Sequence, residues 1–364
     1  MKNVVVVGMS GGVDSSVSAY LLKSQGYDVI GLFMKNWEEN VLETSHSCSA
    51  VKDYEDVQSV CDKLKIPYYS FSFSQEYRDR VFKRFLEEYR QGLTPNPDIF
   101  CNREIKFDLL LEKANELGGK LATGHYCGIK MLNGQPVLTR GIDPIKDQSY
   151  FLSNIHKSSL NNVIFPLSNF YKHEVRKIAL EQNLSTANKK DSVGICFIGK
   201  RNFKAFLSQY IPPKKGVIVN FNTNEIVGEH DGIFYYTIGQ RKGLGIGGKG
   251  PAWFVVSKDV SSNVLYVVQG ENNPALYKKF LKAKELNWFL DVKFPLKCTA
   301  KIRYRSEDTP CLVVKEKDGI KVIFETPQKA ITPSQAIVFY KNEICLGGGI
   351  IQDFNYSEPE AHYF

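Results

Sequence analysis

Three short segments hold the residues of this chain whose types and spacing could do chemistry. The first is Gly8-Met9-Ser10-Gly11-Gly12-Val13-Asp14-Ser15-Ser16. It follows the apolar run Val4 to Val7 and precedes a helical spacing through Val17, Tyr20 and Leu21, so it joins a buried strand to a helix. Gly11 and Gly12 lack a Cβ and let the backbone approach phosphate. Ser10, Ser15 and Ser16 offer hydroxyl donors, and the helix start offers unpaired N–H groups and its positive dipole end. Asp14 could orient a hydroxyl or hold Mg²⁺. The segment lacks the G-K-[ST] ending of a Walker A loop and is not a G-x-G-x-x-G fingerprint. The bland alternative is a glycine-rich turn.

The other two segments carry cysteines. Cys101 lies in Asn96-Pro97-Asp98-Ile99-Phe100-Cys101-Asn102-Arg103. Pro95 and Pro97 stiffen its approach, and a helix is expected to begin just after it and reach Leu117. A helix N-terminus with Arg103 and Lys106 nearby favours the reactive thiolate. Cys196 lies in Asp191-Ser192-Val193-Gly194-Ile195-Cys196-Phe197, where Gly194 permits a bend that exposes sulfur. Each cysteine could instead be a small buried hydrophobe, Cys196 more readily because apolar residues flank it. The remaining cysteines, at 48, 61, 127, 298, 311 and 345, receive no role, and no C-x-x-C pair supports a zinc ribbon.

Strands and helices alternate through the first two hundred residues. Strands are expected at Val4 to Val7, Tyr27 to Met34, Tyr68 to Phe71 and Leu121 to Gly124, and helices at Val51 to Leu64, Glu76 to Arg90 and Phe107 to Leu117. That order predicts a doubly wound parallel sheet with its ligand at the carboxyl ends of the strands. Asn133-Gly134 reads as a hairpin turn. Helical spacing returns near His173 to Gln182 and Asn202 to Tyr210. Pro212-Pro213 marks one boundary and Asn272-Asn273-Pro274 another. We therefore expect an α/β domain over 1–210, a small β-rich domain over 211–274 and a β-barrel over 275–364.

The chain has 364 residues, 43% hydrophobic and 24% charged, with a net charge of +8, as expected of a globular protein with more than one domain. Between Leu276 and Ala330 there are 13 Lys and Arg against 7 Asp and Glu. A basic β-rich segment suits nucleic acid, although a solvated lysine surface would look the same. No signal peptide, transit segment or membrane-length apolar run is visible, so a cytoplasmic location without membrane partners is expected.

The first segment resembles the S-G-G-x-D-S pyrophosphate loop of the ATP pyrophosphatase superfamily, which splits ATP and transfers AMP to a carbonyl oxygen. That superfamily also contains amide-forming synthetases, so the loop does not fix the substrate. All three segments together resemble the bacterial tRNA-specific 2-thiouridylases, with further matches at Ala122-Thr123-Gly124-His125-Tyr126, Lys146-Asp147-Gln148-Ser149-Tyr150-Phe151-Leu152, Gly239-Gln240-Arg241-Lys242-Gly243-Leu244-Gly245, Lys301-Ile302-Arg303-Tyr304-Arg305 and Pro333-Ser334-Gln335-Ala336.

The resemblance implies an adenine nucleotide alpha hydrolase-like sheet followed by two smaller β-rich domains. It implies ATP with Mg²⁺ at Gly8, Met9, Ser10, Gly11, Gly12, Val13, Asp14, Ser15, Met34 and Gly124. Asn96, Pro97 and Asp98 would meet the target base of an anticodon loop. His125, Lys146, Asp147, Gln148, Arg303, Tyr304 and Gln335 would contact tRNA. Cys101 would be the nucleophile and Cys196 the persulfide carrier, the two forming a catalytic disulfide as sulfur leaves. A persulfide-bearing relay protein and, upstream of it, a cysteine desulfurase are the implied donors. On the residues alone, Arg303 and Arg305 read as one face of a strand that clamps phosphate beside Tyr304. Competing readings are an amide-forming synthetase, which would need neither cysteine, an RNA-binding protein without catalysis, and the organellar relative of the same family.

Overall fold

A computed structural model describes residues 3–37, 49–191 and 202–352. Five strands form the first sheet: β1 (Val4–Met9), β2 (Asp28–Lys35), β3 (Tyr68–Ser72), β4 (Lys120–Ala122) and β7 (Val163–Ile164). Their order is β3-β2-β1-β4-β7, every pairing parallel. The continuous valine run of β1 reflects this position: Val5, Val6 and Val7 are covered on both faces. The chain leaves β1 towards β2 on one side and returns to β4 on the other. The crevice outside the carboxyl ends of β1 and β4 is therefore a topological switch point.

Two long helices cover one face. Residues 74–90 and 97–116 are each continuous, and each contains a π-type segment, at Arg78–Phe82 and Asn102–Leu109. Tyr77, Phe82, Phe85, Phe100 and Phe107 build the largest core with Leu32, Val6 and Leu121 of the sheet. α1 (Val13–Ser24) and α2 (Ser49–Leu64) cover the other face. The helix expected to begin after Cys101 begins earlier. Asn96 is its N-cap and Pro97 its first residue, the position where a missing N–H costs nothing. Cys101 thus sits inside the helix, at the entry to its π segment.

The middle unit is a four-stranded sheet, β10-β11-β8-β9, over a small core of Ile218, Val255, Leu265 and Val267. β8 spans Gly216–Asn220, β9 Ile226–His230, β10 Trp253–Asp259 and β11 Val264–Gln269. Beyond it six strands close a barrel in the order β12-β15-β14-β13-β16-β17, with β12 (Tyr277–Trp288) pairing back to β17 (Ile344–Ile351). The others are β13 (Leu296–Lys301), β14 (Thr309–Glu316), β15 (Gly319–Lys329) and β16 (Ala336–Lys341).

The barrel is not a separate bead. The hairpin of β5 (Cys127–Leu132) and β6 (Gln135–Arg140), turned by Asn133 and Gly134 at φ 50° and 76°, adds itself to the barrel edge through Thr139 opposite Ile344. Ala336, Val338, Tyr340 and Ile350 of the barrel belong to the same core as Phe85 and Phe107 of the first domain.

Candidate functional site

The glycine loop leaves β1 at the switch point. Gly11 has φ +73°, and a Cβ there would lie 2.5 Å from the carbonyl oxygen of Asp53 in α2. Its role is therefore a left-handed turn pressed against protein. Gly12 instead faces open space, its nearest neighbour being the Ser10 hydroxyl. The serines do less ligand-facing work than their hydroxyls suggested. Ser15 accepts the Ser10 N–H at 3.1 Å and donates to the Gly12 carbonyl at 3.1 Å, and Ser16 donates to the same carbonyl at 2.9 Å. They hold the loop in shape, while Ser10 itself stays exposed. Gly124 abuts the start of α1, where a Cβ would come within 2.8 Å of the Ser15 nitrogen. Met34 is half-buried near the end of β2. The residues expected to bind nucleotide thus share the carboxyl edge of one sheet.

Asp14 anchors a network that sequence reading missed. Both of its oxygens lie 2.7 Å from the Lys172 ammonium, and one accepts the Tyr126 hydroxyl at 2.7 Å. Lys172 also pairs with Asp191 at 2.9 Å, which in turn takes Lys146 and Arg176 at 2.7 Å each. Burial works to raise the Asp191 carboxyl, but hydrogen bonds from Lys146 and Lys172 outweigh it and bring it down to about 2. Lys189 pairs with Asp53 and Asp56 of α2. The chain that leads into the Cys196 segment is therefore fastened beside the loop at 189 and 191. Cys196 itself lies outside the described residues.

Cys101 is 1% exposed, packed between the sheet-facing aromatics. Around its helix the expected base-contacting residues gather. Burial raises the Asp98 carboxyl, partly offset by the charge of Lys106. Burial, and then the same lysine, push the His125 imidazole well below its ordinary value, so the ring is neutral. His125 accepts or donates through Nδ1 to the Thr123 hydroxyl at 2.8 Å and packs against Phe107 and Phe165. Asn102 donates to the Phe151 carbonyl at 3.0 Å, and the Phe151 ring lies 4.4 Å from that of Tyr304. Gln335 donates to the Thr94 carbonyl at 2.6 Å, just before Asn96. Elements from the first domain and the barrel therefore meet around Asn96, Pro97 and Cys101.

Asp147 and Arg303 make contacts within the protein, and the expected strand placement of Arg303 and Arg305 needs correction. Asp147 is only 6% exposed, and its carboxylate takes the N–H groups of Gly141 and Ser149 and the Ser149 hydroxyl. Its side chain shapes a turn and faces inward. Arg303 and Arg305 are not strand neighbours, because β13 ends at Lys301 and the chain turns. The Arg303 guanidinium reaches the Ala330 carbonyl, the Thr332 hydroxyl at 3.2 Å and the Ile238 carbonyl of the middle unit. It pins a domain junction, whereas Arg305 is exposed over the Tyr304 ring. Gln148 accepts the Tyr126 N–H at 3.0 Å and stays half-exposed.

Among the described residues, no group of three or more His, Cys, Asp or Glu could hold a metal, and no helix is long and apolar enough to cross a membrane. Family models match three consecutive parts of the chain: "tRNA methyl transferase HUP domain" at residues 3–200, "tRNA methyl transferase PRC-barrel domain" at 204–269 and "Aminomethyltransferase beta-barrel domain" at 278–351. A protein of Chlamydia trachomatis serovar D named tRNA-specific 2-thiouridylase MnmA is 56% identical, covering 97% of this chain and 98% of that one. A protein of the same name from Alkaliphilus oremlandii is 54% identical over 95% of this chain and 96% of its own. One from Geobacillus kaustophilus, named tRNA-specific 2-thiouridylase MnmA 2, is also 54% identical, over 96% and 94%.

Proposed function

The chain belongs to the tRNA-specific 2-thiouridylase family, and from that premise we propose that it activates the C2 oxygen of a wobble uridine with ATP and exchanges it for sulfur through Cys101 and Cys196. It is a tRNA sulfurtransferase that forms 2-thiouridine. The observation that carries the finer mechanism is the ion-pair chain Asp14–Lys172–Asp191, which ties the glycine loop to the base of the segment bearing Cys196. Asp191 precedes Cys196 by five positions in the sequence.

A uracil C2 oxygen is a poor leaving group. Attack of that oxygen on the α-phosphorus of ATP expels pyrophosphate and makes AMP the leaving group. The loop suits this step: the open side of Gly12, the exposed Ser10 and the α1 N-terminus present donors to phosphate oxygens. Lys172, 11% exposed beside Asp14, can turn its charge towards phosphate. Mg²⁺ would be held mainly by the phosphates, since both Asp14 oxygens are engaged within the protein.

The terminal sulfur of a Cys196 persulfide then attacks C2, and AMP departs. The Cys101 thiolate attacks the inner sulfur of that adduct, leaving sulfur on the base and a Cys101–Cys196 disulfide for later reduction. A persulfide-bearing relay protein, fed by a cysteine desulfurase, resupplies Cys196. The neutral His125 and the helix start at Asn96 to Asp98 would line the base pocket, into which an unstacked anticodon base would swing. Arg305, Tyr304, Lys146 and Gln148 supply tRNA contacts around it. Incubation with ATP, Mg²⁺ and unmodified tRNA tests the first step. Pyrophosphate release that requires tRNA is expected. Release that is equal without tRNA would remove the uridine as the acceptor.

A further inference from the structure

Two facing thiols of the barrel take no part in the reaction above. Cys298 on β13 lies directly opposite Cys311 on β14, with the sulfur atoms 3.7 Å apart. Direct partners in antiparallel strands have Cα atoms about 4.5–5.5 Å apart, inside the window a disulfide requires. Side-chain rotation alone can therefore close the remaining gap. Their surroundings differ. Cys298 is half-buried, while Cys311 is 5% exposed. The contact with Cys298, and then burial, hold the Cys311 thiol protonated. By contrast Cys61, Cys127 and Cys345 are each 0% exposed. The pair lies midway along the hairpin ladder whose turn carries Arg303, Tyr304 and Arg305.

We infer that Cys298 and Cys311 form an oxidation site for hydroperoxides, with Cys298 the thiol oxidised first and Cys311 the resolving one. Cys298 sulfur attacks one peroxide oxygen, the O–O bond breaks, and Cys298 becomes a sulfenic acid as water (or an alcohol) leaves. Cys311 sulfur then attacks the Cys298 sulfur, the S–O bond breaks, and the Cys311 proton leaves with hydroxide as a second water. The peroxide is reduced by two electrons and the two thiols are oxidised to one disulfide. The accessible thiol is oxidised first because exposure governs this ladder. The buried one resolves because nothing lies between the two sulfurs at 3.7 Å.

The test exposes the full-length protein to hydrogen peroxide, blocks residual thiols, and maps peptides by mass. The expected result is a linked Cys298–Cys311 peptide lighter by two hydrogens. In Cys311→Ser, Cys298 should instead be trapped by dimedone as the sulfenic acid, roughly 10-fold more than in wild type. Both cysteines still alkylated in wild type after that exposure would overturn the proposal. So would equal dimedone labelling of Cys298 with and without Cys311. The wild-type map decides the matter alone if the variant does not fold.

Discussion

Lys172 comes from a helix far along the chain, yet its ammonium lies between Asp14 of the glycine loop and Asp191. Lys172→Met should lower ATP-dependent tRNA activation by about 100-fold in kcat/KM, the size expected when one charged stabiliser of a developing anion is lost; an unchanged value would make the lysine purely structural. The loop between strand and helix was legible because glycine and serine at that spacing suit so tight a turn. Lys172, Tyr126 and Asp191 were not, since no local spacing joins them. One signal did exist: Lys172 is the first residue of its helix, where the dipole disfavours a cation, so an anionic partner was required. His125 gives a pH prediction. Its folded-state value is depressed by burial, so the unfolded chain binds the proton more readily. The neutral ring's contribution is complete above about pH 6.5, the unfolded value, and is lost as pH falls below it. His125→Gln should flatten that part of a stability-versus-pH curve measured by urea melts. An unaltered slope would show that another group is responsible.

At the scale of elements, the site depends on how closely α1, α2 and β4 approach the loop. Gly11→Ala would force a left-handed residue and a clash with the Asp53 carbonyl, costing about 1–3 kcal/mol. Gly124→Ala would press on the Ser15 nitrogen and should weaken ATP binding more than stability. Calorimetric titration with ATP beside a thermal melt separates the two; equal losses in both variants would contradict the different roles. The strand and helix order was readable from apolar runs. The start of the 97–116 helix was not, because Pro95 and Pro97 were read as loop when Pro97 is the helix's first residue. The π segment following Cys101 has no signature in apolar spacing. Insertions of this kind often mark functional sites, and this one adjoins the cysteine assigned the nucleophilic role.

Across the whole molecule, Arg84 links the first domain to the barrel. Its guanidinium meets Glu285 of β12 through two nitrogens at 2.7 and 2.8 Å, takes Glu88 at 2.6 Å, and lies 3.8 Å from the Phe100 ring beside Cys101. Glu88 also accepts the Ser334 hydroxyl of the barrel. Arg84→Ala should cost about 2 kcal/mol, less than for a fully buried pair because both partners keep some solvent. A urea midpoint unchanged within roughly 0.5 kcal/mol would reduce the link to a surface contact. Three units and a basic barrel were legible from prolines, strand patterning and charge. The shared core was not, since the β5–β6 hairpin joins the barrel edge through a pairing across some two hundred residues. The central claim is that one activated uridine is thiolated by two cysteines. The most direct test supplies unmodified tRNA, ATP, Mg²⁺ and a persulfide donor to wild type, Cys101→Ala and Cys196→Ala, and weighs the nucleosides. The account predicts 2-thiouridine from wild type and at least a roughly 100-fold loss in each variant; wild-type levels from either variant would contradict it.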